Sequence, residues 1–554
     1  MNFTPSIKMP VGISSFEKIR ESKAYYIDKS EMIEELIHSR ADVILFTRPR
    51  RFGKTLTMRM LESFFSIEKD SKRLFDGLKI SKNTELCKAY MNQYPTIFLT
   101  FKEIEGRNFE LAFKKLKKKI YTLCKEYTFL LHSDKIDEED KKLFEELNSG
   151  NVDEAGIQDS LNVLVRLLYI YYGRPVILLL DEYDVPLAKA SENGYYEEML
   201  DVMRGLMQVL KDNEYLHFAV VTGCLRISKE SIFTGTNNFS VNTITSSRFN
   251  EYFGFTESEV KQILKDAGIL SQYNKIKDWY DGYNFGGIDI YCPWDVINYV
   301  DDFLNGERNL PKCYWINTSG NEIIRTFVDN YADEIREDFE SLIAGKSIRM
   351  SIKEDLTYDL IHSSKDNFWS VLYLTGYITS EKNSRLESGQ VMLKIPNQEI
   401  KEIFNDTVCQ WFKEQVHTLN RKKLFAAVWG GDSTTITEQI TKILVRTISY
   451  YDYREDFYHA FLAGIFTGAG YRVESNKEHG EGRSDIVVKD TRNFRIAVFE
   501  IKYSDKKADL EKYCDKALIQ IANRQYAVDY TEDYDEILCY GVAFCKKRCL
   551  VKRA

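Results

Sequence analysis

No apolar run in this 554-residue chain approaches the roughly 20 residues that a bilayer-spanning helix requires. The opening segment Met1–Arg20 lacks the apolar stretch of a secretory signal, so the expected compartment is the cytoplasm, with no membrane partner. Cysteines are few and scattered, ten in all. The closest pair, Cys545 and Cys549, has no His or Cys partner at zinc spacing, which favours reduced thiols over a disulfide framework. Proline is scarce at nine residues, and there is no Pro-rich linker, low-complexity tract or internal repeat. Positive charge is not in excess either: 76 Lys and Arg against 84 Asp and Glu leave a net charge of −8, which argues against a protein coated in nucleic-acid-binding surface. What is there is an ordinary globular composition, 44% hydrophobic and 29% charged, and enough chain for two to four domains.

Chemistry concentrates at two places. Near the C-terminus, Gly482-Arg483-Ser484-Asp485-Ile486-Val487-Val488 and Ile496-Ala497-Val498-Phe499-Glu500-Ile501-Lys502 each read as a β-strand, apolar residues alternating with or flanking polar ones. Neighbouring strands of a hairpin bring Asp485 and Glu500 to one end of a sheet, with Lys502 on the face of Glu500. A carboxylate pair with a nearby ammonium suits metal-assisted phosphodiester hydrolysis: the carboxylates hold Mg²⁺ and the lysine orients water or neutralises developing charge. A surface hairpin with scattered charges is the plain alternative. Against it, Phe499-Glu500-Ile501-Lys502 sets two charges inside an apolar strand, where unpaired charge is costly.

Near the N-terminus, Val43-Ile44-Leu45-Phe46-Thr47 runs into Arg48-Pro49-Arg50-Arg51-Phe52-Gly53-Lys54-Thr55, and an amphipathic helix follows to Phe65. That is the context of a phosphate-binding loop, with the backbone of Arg51, Phe52 and Gly53 beside the nucleotide, Lys54 on its β/γ-phosphates and Thr55 on Mg²⁺. Arg48 replaces the usual first glycine, and Pro49 removes a backbone donor. The apolar strand Val176–Leu180 ends in Asp181 and Glu182, as in a Walker B motif, and reads as buried on both faces of a parallel sheet. Asp181 is expected on Mg²⁺ through water, and Glu182 on the attacking water. A third strand, His217–Gly223, carries Thr222 where a γ-phosphate sensor would sit. An arginine beyond Thr222, either Arg226 or Arg248, is expected at the γ-phosphate, from the same chain or from a neighbouring subunit of a homo-oligomer.

The C-terminal segment resembles the PD-(D/E)XK nuclease superfamily from about Glu455 onward, in the order helix, three strands, helix, strand. The resemblance implies catalytic roles for Asp485, Glu500 and Lys502, a further metal-binding carboxylate in Glu455, and a helper in Gln520 on the second helix. The N-terminal part resembles the bacterial AAA-ATPase-like family, whose members carry Arg-Pro-Arg-Arg-Phe-Gly-Lys in place of the usual loop. Gly12–Phe16, Tyr25–Lys29, Asp181-Glu182-Tyr183-Asp184, Ser231–Phe233 with Asn237 and Asn238, and Trp279–Tyr283 carry the same resemblance. Some members of that family end in the nuclease-like domain.

The implied fold is α/β: a P-loop NTPase parallel sheet with a helical lid, followed by a separate α/β restriction-endonuclease-like domain. Expected boundaries are 1–255 for the NTPase core, with a helical insertion around Asn108–Gly150, 256–430 for the lid and middle region, and 431–554 for the nuclease-like domain. Expected ligands are ATP or GTP with Mg²⁺, and nucleic acid, with DNA ahead of RNA. Local basic clusters include Lys114–Lys119, read as a solvated helix face, and Lys546-Lys547-Arg548 with Lys552-Arg553, which adjoins the nuclease sheet and is the better candidate for phosphate contacts. His459, one turn past Glu455, reads as a satisfied helix histidine. Two functions remain open on the sequence: an NTP-driven nuclease, or a nucleotide-dependent switch whose nuclease fold does not cleave.

Overall fold

The computed structural model describes residues 7–226, 239–306, 310–315, 338–339, 341–342, 345–356, 358, 360, 364–382, 390–404, 422–447, 455–467, 471–479, 482–524, 530 and 533–554. The chain divides into two compact units, residues 1–318 with 349–400, and residues 319–348 with 401–554.

In the first unit, strands β1 (Val43–Thr47), β2 (Thr96–Thr100), β3 (Val176–Asp181), β4 (Leu216–Gly223) and β5 (Phe239–Asn242) form one sheet in the order β2-β3-β4-β1-β5. Every pairing is parallel. The near-continuous apolar runs of β1 and β3 are the reason: every residue of both strands is buried, which only a sheet covered on both faces can provide. Register sets Thr47 opposite Gly223 and Asp181 opposite Thr100. The C-terminal ends of β1, β3 and β4 therefore share one edge, where ligands of open parallel sheets bind. The helix α1 (Lys54–Phe65) follows β1 directly and buries Met58, Leu61, Phe64 and Phe65.

The insertion after β2 is helical. Asn108 caps helix Phe109–Glu126 by accepting the Leu111 amide, and Gly150, at φ 75°, ends helix Glu138–Ser149. Lys114, Lys115 and Lys118 are exposed on the first of these, the solvated face read from sequence. The lid opens with a capping box of Thr256 and Glu259 on helix Glu257–Asp266. Helices alone do not make it: Phe255–Thr256, Tyr283–Phe285 and Ile288–Tyr291 form a small sheet that the helical reading of this stretch did not anticipate. Its three residues or fewer per strand, apart from the last, are too short to show a period of two. Helix α2 (Pro293–Leu304) and helix α3 (Lys365–Thr375) lie later in the same unit.

In the second unit, helix α4 (Glu455–Thr467) precedes β6 (Arg472–His479), β7 (Gly482–Asp490) and β8 (Arg495–Tyr503), followed by helix α5 (Leu510–Arg524), β9 (Glu536–Cys545) and β10 (Arg548–Arg553). The sheet runs β6-β7-β8-β9-β10, antiparallel except for the parallel pair β8 and β9. One face, with Ile486, Val488, Ala497, Phe499, Ile501 and Tyr540, packs on Tyr458, Leu462, Ile465 and Phe466 of α4. The opposite face carries Val487, Ile496 and Val498 with Ile521 of α5. Among the described residues of either unit, no helix is long and apolar enough to cross a membrane.

Candidate functional site

The loop between β1 and α1 holds its lysine in place before any ligand arrives. Lys54 is buried, and its ammonium donates to the carbonyls of Arg48 (2.9 Å) and Pro49 (3.0 Å). Arg48 thus serves in the glycine's position through its backbone, while its side chain turns into the core. Its Nη1 donates to the carbonyls of Thr47 (2.9 Å) and Asn242 (2.7 Å), and the guanidinium lies over the rings of Phe253 and Phe285. Burial lowers its pKa to about 9. Arg51 and Phe52 anchor the loop to the lid: the Arg51 guanidinium sits 4.1 Å from the Trp294 ring centroid, and Phe52 packs on Tyr283 and Phe285. What these two residues can offer a phosphate is their main-chain amides. Gly53 closes the loop at φ 85°, a conformation that suits glycine.

Asp181 is fully buried at the end of β3, and hydroxyls meet both of its oxygens. Thr55 donates to Oδ2 at 2.8 Å and Thr222 to Oδ1 at 2.6 Å. Thr222, expected as a γ-phosphate sensor, is here itself fully buried and engaged with Asp181. Glu182 follows in the left-handed region at φ 54°, a strained conformation for a non-glycine residue at the sheet's ligand edge. Burial raises its pKa, Lys54 opposes the shift, and Asp181 and Asp184 add to it. Arg226 and Arg248 are paired elsewhere. Arg226 bonds Asp355 at 2.8 Å, and Arg248 reaches the Glu35 carboxylate at 3.3 Å.

Sequence reasoning passed over Asp184. Its Oδ2 accepts the amides of Cys224 (2.9 Å) and Leu225 (3.0 Å) just past β4, and the hydroxyl of Tyr358 (3.0 Å). The only signal was its place in Asp181-Glu182-Tyr183-Asp184. A second unforeseen feature is a carboxyl pair. Asp295, in the first turn of α2, and Glu399 are both fully buried and hydrogen-bonded to each other. Beyond the Cys292 thiol beside Asp295, no donor among the described residues meets the Asp295 oxygens or Glu399 Oε2, so a proton between the two carboxyls would satisfy them. Burial raises both groups, and Glu399 also accepts the Trp315 amide at 2.8 Å.

In the second unit, β7 and β8 pair Ile486 with Phe499, which sets Asp485 across from Glu500. Asp485, Glu500 and Lys502 alternate with the residues packed on α4, so all three share the α5 face. Gly541, opposite Glu500 on β9, lets α5 approach closely: a Cβ there would lie 2.6 Å from the Cys514 carbonyl oxygen. Asp485 Oδ2 accepts the Ile501 amide at 2.7 Å, and the Lys502 ammonium donates to Glu500 Oε1 at 2.8 Å and to the Ile501 carbonyl at 3.0 Å. Glu500 is only 1% exposed. Burial, then Asp485, raise its pKa to about 7 against the pull of Lys502. Asp485 and Lys502 are half-buried, and Glu500 lies beneath α5.

Gln520 lies on α5, half-buried, and the ring of His459 on α4 meets the Asp485 main-chain carbonyl. Glu455 begins α4, but its side chain lies outside the described residues, as do Ser231–Phe233, Asn237 and Asn238. Lys552 of the C-terminal basic cluster pairs with Asp515 on α5 at 2.7 Å.

Both centres fit the groups their folds imply. Lys54 with the Thr55–Asp181 pair suits a nucleoside triphosphate with Mg²⁺. Asp485 and Glu500 suit a divalent cation, because Glu500 Oε2 is buried without a hydrogen-bond partner and the two carboxylates repel. No cluster of three or more His, Cys, Asp or Glu side chains is placed to hold a metal among the described residues.

Comparison with known proteins agrees with this geometry. Residues 10–233 match the AAA-ATPase-like family, described as a predicted AAA-ATPase, and residues 453–554 match the PD-(D/E)XK nuclease superfamily. An uncharacterised protein from the vnfD 5′ region of Azotobacter chroococcum mcd 1 is 24% identical over 564 residues, covering 97% of this chain and 96% of that protein. The Aeropyrum pernix ORC2 protein aligns over 73% of this chain and 96% of its own at 12% identity, with a TM-score of 0.25, too low to bear on the fold.

Proposed function

Because the chain joins an AAA-ATPase-like domain to a PD-(D/E)XK nuclease-superfamily domain, we propose that it binds and hydrolyses ATP or GTP and thereby controls Mg²⁺-dependent cleavage of nucleic acid, DNA ahead of RNA, in the cytoplasm. The observation that carries the reading is the intact constellation on one sheet face: Asp485 across from a buried Glu500 whose Oε1 is 2.8 Å from the Lys502 ammonium. A fold that has left catalysis behind has no reason to keep two repelling carboxylates and a lysine at such cost in burial.

In this reading Asp485 and Glu500 hold the divalent cation, with Glu455 as a further carboxylate and Gln520 as a helper. The bound ion would supply charge neutralisation at the phosphate and an acidified water. Lys502, tethered to Glu500 and the Ile501 carbonyl, is placed to orient water or meet negative charge developing on the phosphate. In the first unit Lys54 and the amides of Arg51, Phe52 and Gly53 bind phosphate, Thr55 and Asp181 hold Mg²⁺, and Thr222 orients Asp181. Glu182 serves as the base toward the attacking water, and burial brings its basicity closer to the working pH. Arg226 would have to leave Asp355 to reach a phosphate, within its own chain or across a homo-oligomer.

The test is cleavage of single- and double-stranded DNA and RNA by the purified protein with Mg²⁺ or Mn²⁺, with and without ATP, beside Asp485→Ala. Cleavage that Asp485→Ala removes supports the reading. Cleavage that it does not reduce belongs to a contaminant, and nucleotide binding without any cleavage favours a switch whose nuclease fold does not cut.

A further inference from the structure

Arg48 stands where the usual phosphate loop has its first glycine, yet its backbone does not ask for one. Its φ lies outside the positive range, unlike those of Arg51 (72°) and Gly53 (85°) in the same loop. The residue is held from several sides. Its amide donates to the Gly223 carbonyl at the end of β4 (3.1 Å), and its Nη1 donates to the carbonyls of Thr47 (2.9 Å) and of Asn242 at the end of β5 (2.7 Å). Since β4 and β5 flank β1 in the sheet, these bonds join three strand ends at the ligand edge. The Arg48 carbonyl then accepts the Lys54 ammonium at 2.9 Å, and the Pro49 carbonyl accepts it at 3.0 Å. Gly376 backs Pro49 closely: an added Cβ there would lie 2.9 Å from the Pro49 Cβ.

A guanidinium is a costly side chain for that place. Arg48 is fully buried, and its Nε and Nη2 meet no acceptor among the described residues. The rings of Phe253 and Phe285, with centroids 5.1 and 5.6 Å from its Cζ, receive the cation. A methionine would fill the same space against the same rings with no charge to desolvate. What the arginine alone supplies is the pair of bonds from Nη1, and both end on main-chain carbonyls at the entry to the loop. Their effect passes to Lys54. An ammonium has three donors, and the Arg48 and Pro49 carbonyls take two. The Cys224 sulfur, at 3.6 Å, is a weak partner that a phosphate oxygen would displace.

We propose that the Arg48 side chain is a positioning residue of the nucleotide site: by tying the end of β1 to β5 it fixes the carbonyl that aims Lys54 at the phosphates of a bound nucleotide. The inference rests on the reading of Arg48–Thr55 as a phosphate-binding loop. It also reverses what the general motif suggests. Restoring glycine at this position would untie the loop entry and weaken nucleotide binding, because the loop and Lys54 would then have to be ordered when the phosphates arrive.

The test uses the full-length protein and compares wild type with Arg48→Met and Arg48→Lys. A fluorescent ATP analogue with Mg²⁺ gives affinity. Brief acetylation by acetic anhydride without nucleotide, read lysine by lysine in the mass spectrometer, reports how firmly Lys54 is held. Arg48→Met is expected to melt within about 3 °C of wild type, since packing is kept and a buried charge is removed. Its Lys54 should acetylate about threefold faster or more while the other lysines keep their wild-type rates. Its ATP affinity should fall about tenfold, the factor carried by one hydrogen bond of a charged group. Arg48→Lys, which can reach one of the two carbonyls, should fall between. Wild-type ATP affinity in Arg48→Met overturns the inference, as does an unchanged Lys54 rate, or acetylation that rises at all lysines together with a lowered melting temperature. If Arg48→Met does not fold, Arg48→Lys decides, and wild-type values for its Lys54 rate and ATP affinity overturn the inference. Failure of the wild type to bind ATP removes the phosphate-loop reading and the inference with it, whereas the other overturning outcomes leave that reading standing.

Discussion

Each unit centres on a buried acid, and the two acids are kept in opposite ways. Asp181 has a hydroxyl on each oxygen, from Thr55 and Thr222, so its charge is satisfied by the protein alone. Glu500 has one oxygen on Lys502, the other buried without a partner, and Asp485 across the strand pair. A carboxylate already held by donors is a preorganised site that costs the fold little. Burial first, and then the facing Asp485, push the Glu500 carboxyl up to about 7 against the pull of Lys502, so a proton or a cation on the pair relieves it. The difference teaches where ligand dependence should lie: the first unit folds around its acid, and the second gains from whatever neutralises its pair.

The widest separation between the two centres should appear in activity. Asp485→Ala is expected to lose divalent-cation affinity and cleavage together, by about a hundredfold or more, since among the described residues no group of three or more His, Cys, Asp or Glu side chains is placed to hold a metal in its place. Lys502→Ala should keep cation affinity while slowing cleavage, because its ammonium acts on charge that develops during the reaction. Calorimetric Mn²⁺ titration beside a cleavage assay separates the two, and equal loss of cation affinity in both variants contradicts the assigned roles. In the first unit Lys54→Ala should abolish nucleotide binding, and Glu182→Gln should retain binding but lose hydrolysis. Equal nucleotide affinity in wild type and Lys54→Ala removes the assignment of the loop.

Stability sharpens the same comparison at smaller scale. Glu500→Gln removes a buried charge facing Asp485, so in chelator the second unit's unfolding transition should shift to higher denaturant, by about 1 kcal/mol or more. Asp181→Asn replaces one acceptor oxygen with an amide donor, so one of the Thr55 and Thr222 hydroxyls loses its acceptor, and the first unit's transition should fall by about 1–3 kcal/mol. Both shifts are read from urea unfolding followed by probes specific to each unit. Destabilisation of the chelated protein by Glu500→Gln would mean that Lys502 already offsets the pair.

The Asp295–Glu399 pair gives the first unit a pH dependence of its own. Burial raises both pKa values above the ordinary 3.8 and 4.5, so the folded state holds more protons than the unfolded state above those values. The pair's contribution is therefore fully present at acid pH and is lost as pH climbs, by up to about 1.4 kcal/mol per pH unit for each extra proton retained. Glu399→Gln supplies a permanent donor to Asp295 and should flatten that decline between pH 5 and 9. Parallel stability profiles for wild type and Glu399→Gln show that the pair carries no proton.

These features were legible in the sequence to different degrees, for physical reasons. The strands bearing Asp485, Glu500 and Lys502 declare themselves because polar residues break apolar runs and a strand's period of two fixes which of them share a face, and register then follows from the hairpin. The β3 run ending in Asp181 is equally plain, because a strand buried on both faces must be apolar throughout. Arg48 was illegible. As sequence it is a missing glycine, whereas its guanidinium is accommodated by the Asn242 carbonyl and the rings of Phe253 and Phe285, partners that only the tertiary fold brings near. Asp184, Tyr358 and the Asp295–Glu399 pair share that character. Each is a polar contact between distant segments, with no periodicity to announce it. Thr222 sits where a sensor would be expected, and its hydroxyl bonds the acid on the neighbouring strand.

Arg248 should have the smallest effect, and it checks whether an arginine placed after β4 by sequence takes part in the nucleotide site. Its guanidinium lies over the ring of Phe249 and reaches the Glu35 carboxylate at 3.3 Å and the Glu35 carbonyl at 3.2 Å. Both partners in the ion pair are substantially solvated, at 42% and 33% side-chain exposure, and exposed pairs of this kind contribute about 0.2–1 kcal/mol. Arg248→Ala should therefore lower stability by no more than that and leave nucleotide turnover within about twofold of wild type. The residue has no contact with Lys54, Thr55 or Asp181 from which a larger effect within one chain could come. A loss of turnover of about tenfold or more in Arg248→Ala, with stability and nucleotide affinity intact, would have to act on a neighbouring subunit's nucleotide. Mixing Arg248→Ala with a Lys54→Ala variant decides that case, because only an arginine reaching across subunits lets two inactive chains restore activity in a mixed oligomer.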